Sequence, residues 1–445
     1  MLIIAASAIL SGNAVERLEG DWTGSLDMGS ASLKLVFHIS PEDSKITMDS
    51  PDQGAFGIPG ETLILTQDSV ALAIPNIGML YEGRLQEGVL TGMFTQGTIK
   101  LPLTLKPEVK KVNRPQTPQA PFPYHTEEVR IANPEAGTML AGTLTIPEEA
   151  GKDTPVVVMV SGSGLQNRDE ELFEHKPFGV IADYLARNGI ATLRYDDRGT
   201  GESTGDGTVA NTADFASDAA GVACWLKEDG RFGKIGVLGH SEGGIIAYML
   251  ASGNDKPDFI VSVAGPSVKG TSIIAYQNKD ALTANGIGEQ EAEEFRKAVE
   301  RGLEYGISQP TAPEVNDQLI AEIYPERDRN TVTRQLSQML RTLIEQATSN
   351  NWMHYFLALD PASYMKKIEI PAFIIYGSKD RQVPVSLNLE PAKRHAPGAI
   401  VKVYPDLNHL MQHADTGRIN EYFNIEETFS PEVMADIADF IRSQR

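Results

Sequence analysis

Gly239-His240-Ser241-Glu242-Gly243-Gly244 follows directly on the apolar run Ile235-Gly236-Val237-Leu238, and a small-residue apolar stretch, residues 244–251, follows it. The pattern predicts a strand, a sharp turn and a helix, with Ser241 on the turn. Glycine two positions before and two after the serine lets the chain bend without a Cβ clash, so the hydroxyl projects clear of the sheet. The helix starting at Glu242 aims its free N–H groups and the positive end of its dipole at the same spot. That geometry suits a nucleophile whose product is an oxyanion.

A serine hydroxyl is a poor nucleophile at neutral pH and needs a base to take its proton. Where serine sits on such a turn, an acid and a histidine are sought later in the chain, in that order, each on a loop after a strand. Pro371-Ala372-Phe373-Ile374-Ile375-Tyr376-Gly377 reads as a buried parallel strand, and Asp380 lies just past its end. Ala399-Ile400-Val401-Lys402-Val403-Tyr404 reads as the next strand, and the loop after it carries His409. His409 is therefore the expected base, and Asp380 would fix its tautomer and stabilise the imidazolium. His413 competes with His409, and Asp360 and Asp406 compete with Asp380. Asp406 is too close in sequence to face His409 from a separate loop, and Asp360 before Pro361 reads as a helix N-cap. The oxyanion needs two donors. One is expected from the backbone N–H of Glu242; the other from the loop Ser161-Gly162-Ser163-Gly164 after the strand Val156-Val157-Val158-Met159-Val160, with Ser163 favoured and Gly164 the alternative. Two readings stay open for the Glu242 side chain, a pocket wall or a plain helix-dipole partner.

From about residue 127 to the C-terminus the chain resembles the α/β-hydrolase superfamily, in particular its serine-aminopeptidase-like esterase branch. Tyr195-Asp196-Asp197-Arg198-Gly199-Thr200-Gly201-Glu202-Ser203 is similar to that branch's D-x-R-G-x-G-x-S loop. Ser161-Gly162-Ser163-Gly164-Leu165-Gln166-Asn167-Arg168-Asp169-Glu170 is similar to its oxyanion-loop signature, with Ser161 where the branch usually has histidine. The resemblance implies a serine hydrolase that cleaves carboxylic esters through an acyl-enzyme. A peptidase acting on short peptides or acylated amino acids shares the same chemistry. A non-catalytic binding protein on the same fold is the reading from another class.

Composition sets the frame for these residues. With 445 residues, 41% hydrophobic and 22% charged, the chain is an ordinary globular protein of one or two domains. A net charge of −21 repels phosphate backbones and anionic membranes, so neither nucleic acid nor a membrane is an expected partner, and a small-molecule ester is. The single cysteine, Cys224, excludes an intramolecular disulfide and is expected as a buried small hydrophobe on a helix. No phosphate loop, metal-ligand cluster or dinucleotide fingerprint occurs, and no cofactor is implied. Residues 2–10 are apolar and of signal-peptide core length, with Gly12-Asn13-Ala14 as a small-x-small cleavage site, although no Lys or Arg precedes them. Residues 1–14 are accordingly read as a possible signal-peptide remnant, with a periplasmic or secreted location expected and a cytoplasmic one as the alternative.

Two textures follow. Residues 15–106 contain many short, alternating segments punctuated by Gly, Pro, Asn and Asp, which predicts a small antiparallel barrel or sandwich. This module resembles the lipocalin-like β-domain ahead of some bacterial hydrolases, with Gly20-Asp21-Trp22-Thr23-Gly24 as its opening. Carbohydrate binding, pairing of two chains as a homodimer and covering of a hydrolase edge are its open roles. Five prolines between residues 107 and 123 mark 107–125 as a linker that either spaces two domains or lies against the second. Residues 126–445 alternate strands and helices, which predicts an α/β fold: a mostly parallel sheet with helices on both faces. Residues 266–365 interrupt it with helical segments, the expected cap over the nucleophile, and Tyr276, Trp352, Tyr355, Phe356 and Leu357 are its candidates for an apolar pocket wall.

Overall fold

The structure is a computed structural model that describes residues 18, 20–28, 32–40, 45–66, 68–107, 113–309 and 314–444. The apolar N-terminal run, residues 1–14, lies outside the described residues. The chain divides into two compact units, residues 1–113 and 114–445.

The first unit is a closed barrel of eight strands: β1 (Gly20–Asp27), β2 (Ser32–Ser40), β3 (Lys45–Ser50), β4 (Ala55–Leu65), β5 (Ser69–Ile74), β6 (Met79–Gln86), β7 (Val89–Gln96) and β8 (Ile99–Pro107). Every neighbour in sequence is an antiparallel neighbour in space, and β8 returns to β1 at Trp22↔Pro107 and Thr23↔Lys106. Closure leaves the barrel no free sheet edge. Between Gln86 and Val89 the turn is only Glu87-Gly88, both at positive φ, the two-residue turn whose twist matches the flanking strands. Inward-facing residues fill the axis, among them Trp22, Leu35, Phe37, Ile39, Leu72 and Tyr81. The buried Tyr81 hydroxyl donates to the carbonyls of Leu90 and Leu103 at 3.1 and 3.3 Å, so the one polar atom of that ring is satisfied inside the core.

The second unit begins on the Pro-rich segment. Residues 108–112 lie outside the described residues, but Arg114 donates to the carbonyls of Ile425, Phe173 and Phe423. Gln116 accepts the Thr428 and Phe429 N–H groups and donates back to the Phe429 carbonyl. The segment from Arg114 therefore lies against the second unit.

That unit holds an eight-stranded sheet of β9 (Tyr124–Asn133), β10 (Thr138–Pro147), β11 (Val156–Val160), β12 (Ala191–Tyr195), β13 (Ile235–His240), β14 (Phe259–Val263), β15 (Ala372–Gly377) and β16 (Ile400–Tyr404). The spatial order is β16-β15-β14-β13-β11-β12-β10-β9; all pairs are parallel except those made by β10. Side chains alternate between two cores. Val156, Val158 and Val160 point to one and Val157 and Met159 to the other, and β15 repeats the pattern. Burial on both faces is why these strands read as unbroken apolar runs. Helices α1 (Pro177–Arg187), α2 (Thr212–Asp229) and α3 (Glu242–Ser252) follow β11, β12 and β13; α2 and α3 cover the first core and α1 the second. Cys224 corrects an expectation: it is exposed, because Ala219, Val222 and Leu226 turn one stripe of α2 to the core and residue 224 falls on the other side.

Between β14 and β15 the chain adds helices α4 (Gly270–Ala284), α5 (Glu289–Ser308), α6 (Asp317–Ile323), α7 (Thr331–Ser349), α8 (Asn351–Ala358) and α9 (Pro361–Met365). The insertion has its own core around Phe295, Leu303, Tyr324, Leu340 and Ile344. After β15 come α10 (Val385–His395), then β16, α11 (Ile419–Tyr422) and α12 (Pro431–Arg442), which packs on the second core. No helix among the described residues is long and apolar enough to cross a membrane.

One barrel contact generates a pH dependence. His38 Nδ1 lies 2.6 Å from Asp21 Oδ1 and Nε2 lies 3.0 Å from Asp49 Oδ2. Hydrogen bonds to Asp21 and then Asp49 push the imidazole from 6.5 up to about 10. A pKa raised on folding stabilises the folded state fully below the unfolded value, and that contribution fades as pH rises through the folded one. Urea midpoints of the wild type and His38→Gln are expected to differ most near pH 6 and to converge above about pH 10.

Candidate active site

Ser241 joins β13 to α3 with φ 52° and ψ −116°, a conformation that L-residues rarely adopt. Close backbone packing forces it. A Cβ on Gly239 would stand 1.9 Å from the Gly243 carbonyl oxygen, and one on Gly243 would stand 2.1 Å from that of Val160. Glycine at both places lets the strand, the helix and the end of β11 meet at the turn. The Ser241 N–H bonds the Val263 carbonyl at 2.9 Å, fixing the turn to β14.

Asp380 follows β15 and is buried; its Oδ1 accepts the Gln382 and Val383 N–H groups, both at 2.8 Å. Its Oδ2 faces His409 Nδ1 at 2.8 Å. A carboxylate only accepts, so Nδ1 carries the proton and Nε2 is the basic nitrogen of the ring. The loop after β16 that carries His409 is held by buried Asn408, whose Oδ1 accepts the N–H groups of Leu410 and Gln412 at 3.0 Å. Ser241 and His409 line one cavity of about 330 Å³.

Carboxylates clamp the loop at residues 161–170. Ser161, which stands where the resembling branch has histidine, donates its hydroxyl to Asp197 at 3.1 Å, and the Gln166 N–H reaches the same carboxylate at 2.8 Å. Burial raises Asp197 to about 7, against the opposing pull of these two donors. Arg168 forms a two-pronged pair with Asp196, and Arg198 pairs with buried Asp218 at 2.6 Å. The Asp196-Asp197-Arg198 run thus anchors the loop after β11 and helix α2. The Gly162 N–H is engaged by Glu170 Oε1 at 2.6 Å. Ser163 lines the cavity beside Ser241, whereas Gly164 does not. The Glu242 N–H, first in its helix, has no carbonyl one turn back to bond. Of the two residues named from the sequence as donors, Ser163 lines the cavity with Ser241 and Glu242 directly follows Ser241 in the chain.

The side chain of Glu242 is buried and does not line the cavity. It accepts from Thr212 Oγ1 at 2.7 Å and from Trp352 Nε1 at 3.0 Å, and from the Ser163 hydroxyl. Burial pushes its pKa up, and the three donors oppose that. One carboxylate therefore ties α2, the insertion and the loop after β11 together beside Ser241.

The competing residues stand elsewhere. His413 is exposed, bonds Glu427 at 2.8 Å, and lies in a separate, wider cleft of about 780 Å³ with Lys379, Arg381 and Arg418. Asp406 is exposed and pairs with Lys379 at 3.0 Å; Asp360 caps α9 through the Ala362 N–H. Of the five candidate wall residues, Trp352 and Phe356 line the cavity, stacked with ring centroids 5.2 Å apart. Tyr276, Tyr355 and Leu357 do not: Leu357 turns into the core of the insertion and Tyr355 packs beside Phe356. The rest of the wall was not foreseen from sequence. Phe173, Ile273, Ile274 and Tyr422 supply apolar surface, and Gln166, Gln277 and Gln382 supply neutral polar groups. Only His240 and Glu170 carried a signal, by adjacency to Ser241 and as the end of Arg168-Asp169-Glu170.

The packing at the turn is testable by adding one methyl group. Gly243→Ala is expected to cost more than about 3 kcal/mol or to prevent folding. Gly253→Ala, at the far end of the same helix, meets nothing nearer than 3.4 Å and is expected to leave the thermal midpoint unchanged.

Comparison with known proteins follows from this geometry. Residues 136–389, more than half of the chain, match the family model of the X-Pro dipeptidyl-peptidase (S15 family). Esterase EstD of Thermotoga maritima is 29% identical over 277 residues, 61% of this chain and 58% of that protein. This chain therefore matches under two thirds of the length of that relative. A non-heme haloperoxidase of Rhodococcus erythropolis is 23% identical over 53% of this chain and 82% of its own. Among solved structures, a Pyrococcus furiosus esterase aligns at 17% identity and a TM-score of 0.43, covering 76% of this chain and 99% of its own. With the family model spanning that much of the sheet and its loops, the chain belongs to the S15 family of the α/β-hydrolase superfamily.

Proposed function

We propose that this protein is a carboxylesterase working through an acyl-enzyme on Ser241. The observation that carries the reading is Ser241 on its strained turn, lining one cavity with a His409 whose Nδ1 is held at 2.8 Å by Asp380. In this reading the three form a catalytic triad. His409 Nε2 takes the serine proton as Oγ attacks the ester carbonyl, then returns it to the leaving alcohol. Asp380 keeps the tautomer and stabilises the imidazolium. The Ser163 and Glu242 N–H groups receive the oxyanion, each worth about 3 kcal/mol in the transition state. The insertion acts as a cap: Trp352, Phe356, Ile273 and Ile274 wall the cavity with apolar surface around the acyl group, and once the alcohol has left, His409 Nε2 takes a proton from one water that attacks the acyl-enzyme and returns it to Ser241 Oγ as the acid departs. The apolar run at residues 2–10 supports export as the setting for this activity.

Ester and peptide substrates separate on charge. A dipeptidyl-peptidase must anchor a free α-ammonium, and burial of that ion demands a paired carboxylate. Among the described lining residues the one carboxylate is Glu170, already matched to His240 and the Gly162 N–H. The remaining polar groups are neutral amides, which suit an uncharged acyl or alcohol moiety. The relative named esterase EstD agrees with an ester; the family's name favours the second reading, a peptidase on short peptides.

Matched p-nitrophenyl esters and dipeptidyl p-nitroanilides distinguish the two. Ester kcat/KM is expected to exceed that for the anilide by at least about 10²-fold. The reverse ratio moves the protein to the peptidase reading. Ser241→Ala is expected to lower ester kcat by a factor on the order of 10⁴ to 10⁶, and Asp380→Asn by about 10⁴, with thermal midpoints near that of the wild type. Retained activity in Ser241→Ala overturns the assignment.

A further inference from the structure

One buried carboxylate touches the oxyanion loop and the residue before Ser241, and through that residue reaches the loop of His409. Glu170 Oε1 accepts the Gly162 N–H at 2.6 Å, directly before Ser163 in the oxyanion loop. The same oxygen faces His240 Nδ1 at 2.8 Å, and His240 directly precedes Ser241. His240 Nε2 donates at 3.0 Å to the backbone carbonyl of His409, and the two rings lie 4.8 Å apart. Glu170, His240 and His409 are all buried.

The protons follow from the partners. A carbonyl oxygen only accepts, so His240 Nε2 carries a hydrogen. Burial alone would push this imidazole down; the Glu170 carboxylate outweighs that and holds it above its ordinary value. Glu170 Oε1 thus meets both the Gly162 N–H and the His240 ring. Glu170 itself sits at φ 50°, a left-handed conformation that a glutamate holds only when its surroundings impose it. With neither Glu170 nor His240 assigned a role in proton transfer, the chain of contacts from Gly162 through Glu170 and His240 to His409 needs another purpose.

We propose that Glu170 is a positioning residue which, through Gly162 and His240, sets the spacing of the Ser163 donor, Ser241 and His409. It acts on the transition state, where an ångström of displacement weakens every contact to the oxyanion. The inference rests on the serine-nucleophile reading above, and its test uses a probe that needs no ester. Fluorophosphonate labelling of Ser241 draws on the same nucleophile, base and oxyanion donors, and its rate at saturating probe is free of differences in probe binding.

Glu170→Ala is expected to lower the labelling rate, and kcat for the best ester, by about 10²-fold, with KM within about 3-fold of the wild type. Glu170→Gln keeps an acceptor for Gly162 but removes the charge opposite His240, and about a 10-fold loss is expected. His240→Gln should resemble Glu170→Ala, and the double variant should be no slower than the slower single one, because both break one chain of contacts. Labelling of Glu170→Ala within about 3-fold of the wild type, a loss confined to KM, or losses that multiply in the double variant would each overturn the proposal. Should Glu170→Ala fail to fold, isosteric Glu170→Gln decides, and wild-type labelling in it overturns the proposal. A wild type that labels but turns over no ester refutes the ester reading alone; one that does not label refutes both.

Discussion

The structure depends on backbone meeting backbone at Ser241. Gly239 packs on the Gly243 carbonyl and Gly243 on the Val160 carbonyl, each so close that no side chain fits. That contact brings the end of β11, the end of β13 and the start of α3 to one point. It puts an L-residue at φ 52°, a conformation that costs on the order of 1–3 kcal/mol and survives only where packing over-determines it. The packing is supplied by a sheet buried on both faces, with core residues of β11, β13, β14 and β15 alternating between two layers. A rigid strand end is what a site needs if its donors are to be preorganised.

Around that point the chain uses buried carboxylates as fasteners. Asp380 holds His409; Asp197 holds Ser161 and Gln166; Glu242 holds Thr212, Trp352 and Ser163; Glu170 holds Gly162 and His240. An isolated buried carboxylate is strongly disfavoured, but each of these accepts two or more hydrogen bonds. Their partners are largely backbone N–H groups and side chains of the loops that surround Ser241, so satisfying the acid also fixes the loop. At Asp197 and Glu242 burial outweighs those bonds and raises the pKa.

Among the described lining residues, the helical insertion gives the cavity apolar and amide groups and no charge. Trp352 belongs to both systems: its ring stacks on Phe356 in the cavity wall while its Nε1 bonds Glu242 behind the nucleophile turn. A change in the wall is thereby felt at the residue that follows Ser241. The insertion keeps its own core, and among its described residues Pro266 and side chains of α4 and α8 reach the cavity.

Local pattern determined much of this protein. Apolar runs bounded by Pro and Gly placed the strands, and glycine spacing placed the turn. Asp380 and His409 were legible because each follows a strand, and strand ends lie on one side of a parallel sheet. Period-two segments closed by short turns signalled the antiparallel module, though not whether it closes into a barrel. Tertiary structure decided what the pattern leaves open. It put Trp352 in the cavity and Leu357 out of it, turned Cys224 to solvent, engaged the Gly162 N–H and left Ser163 beside Ser241. It also joined Glu170 to His240, 70 residues apart in the chain, and His240 to His409, 169 apart. Periodicity reports which face of an element is apolar, over a few turns at most. Which distant side chain meets that face depends on sheet order and helix packing, which no short window of sequence contains.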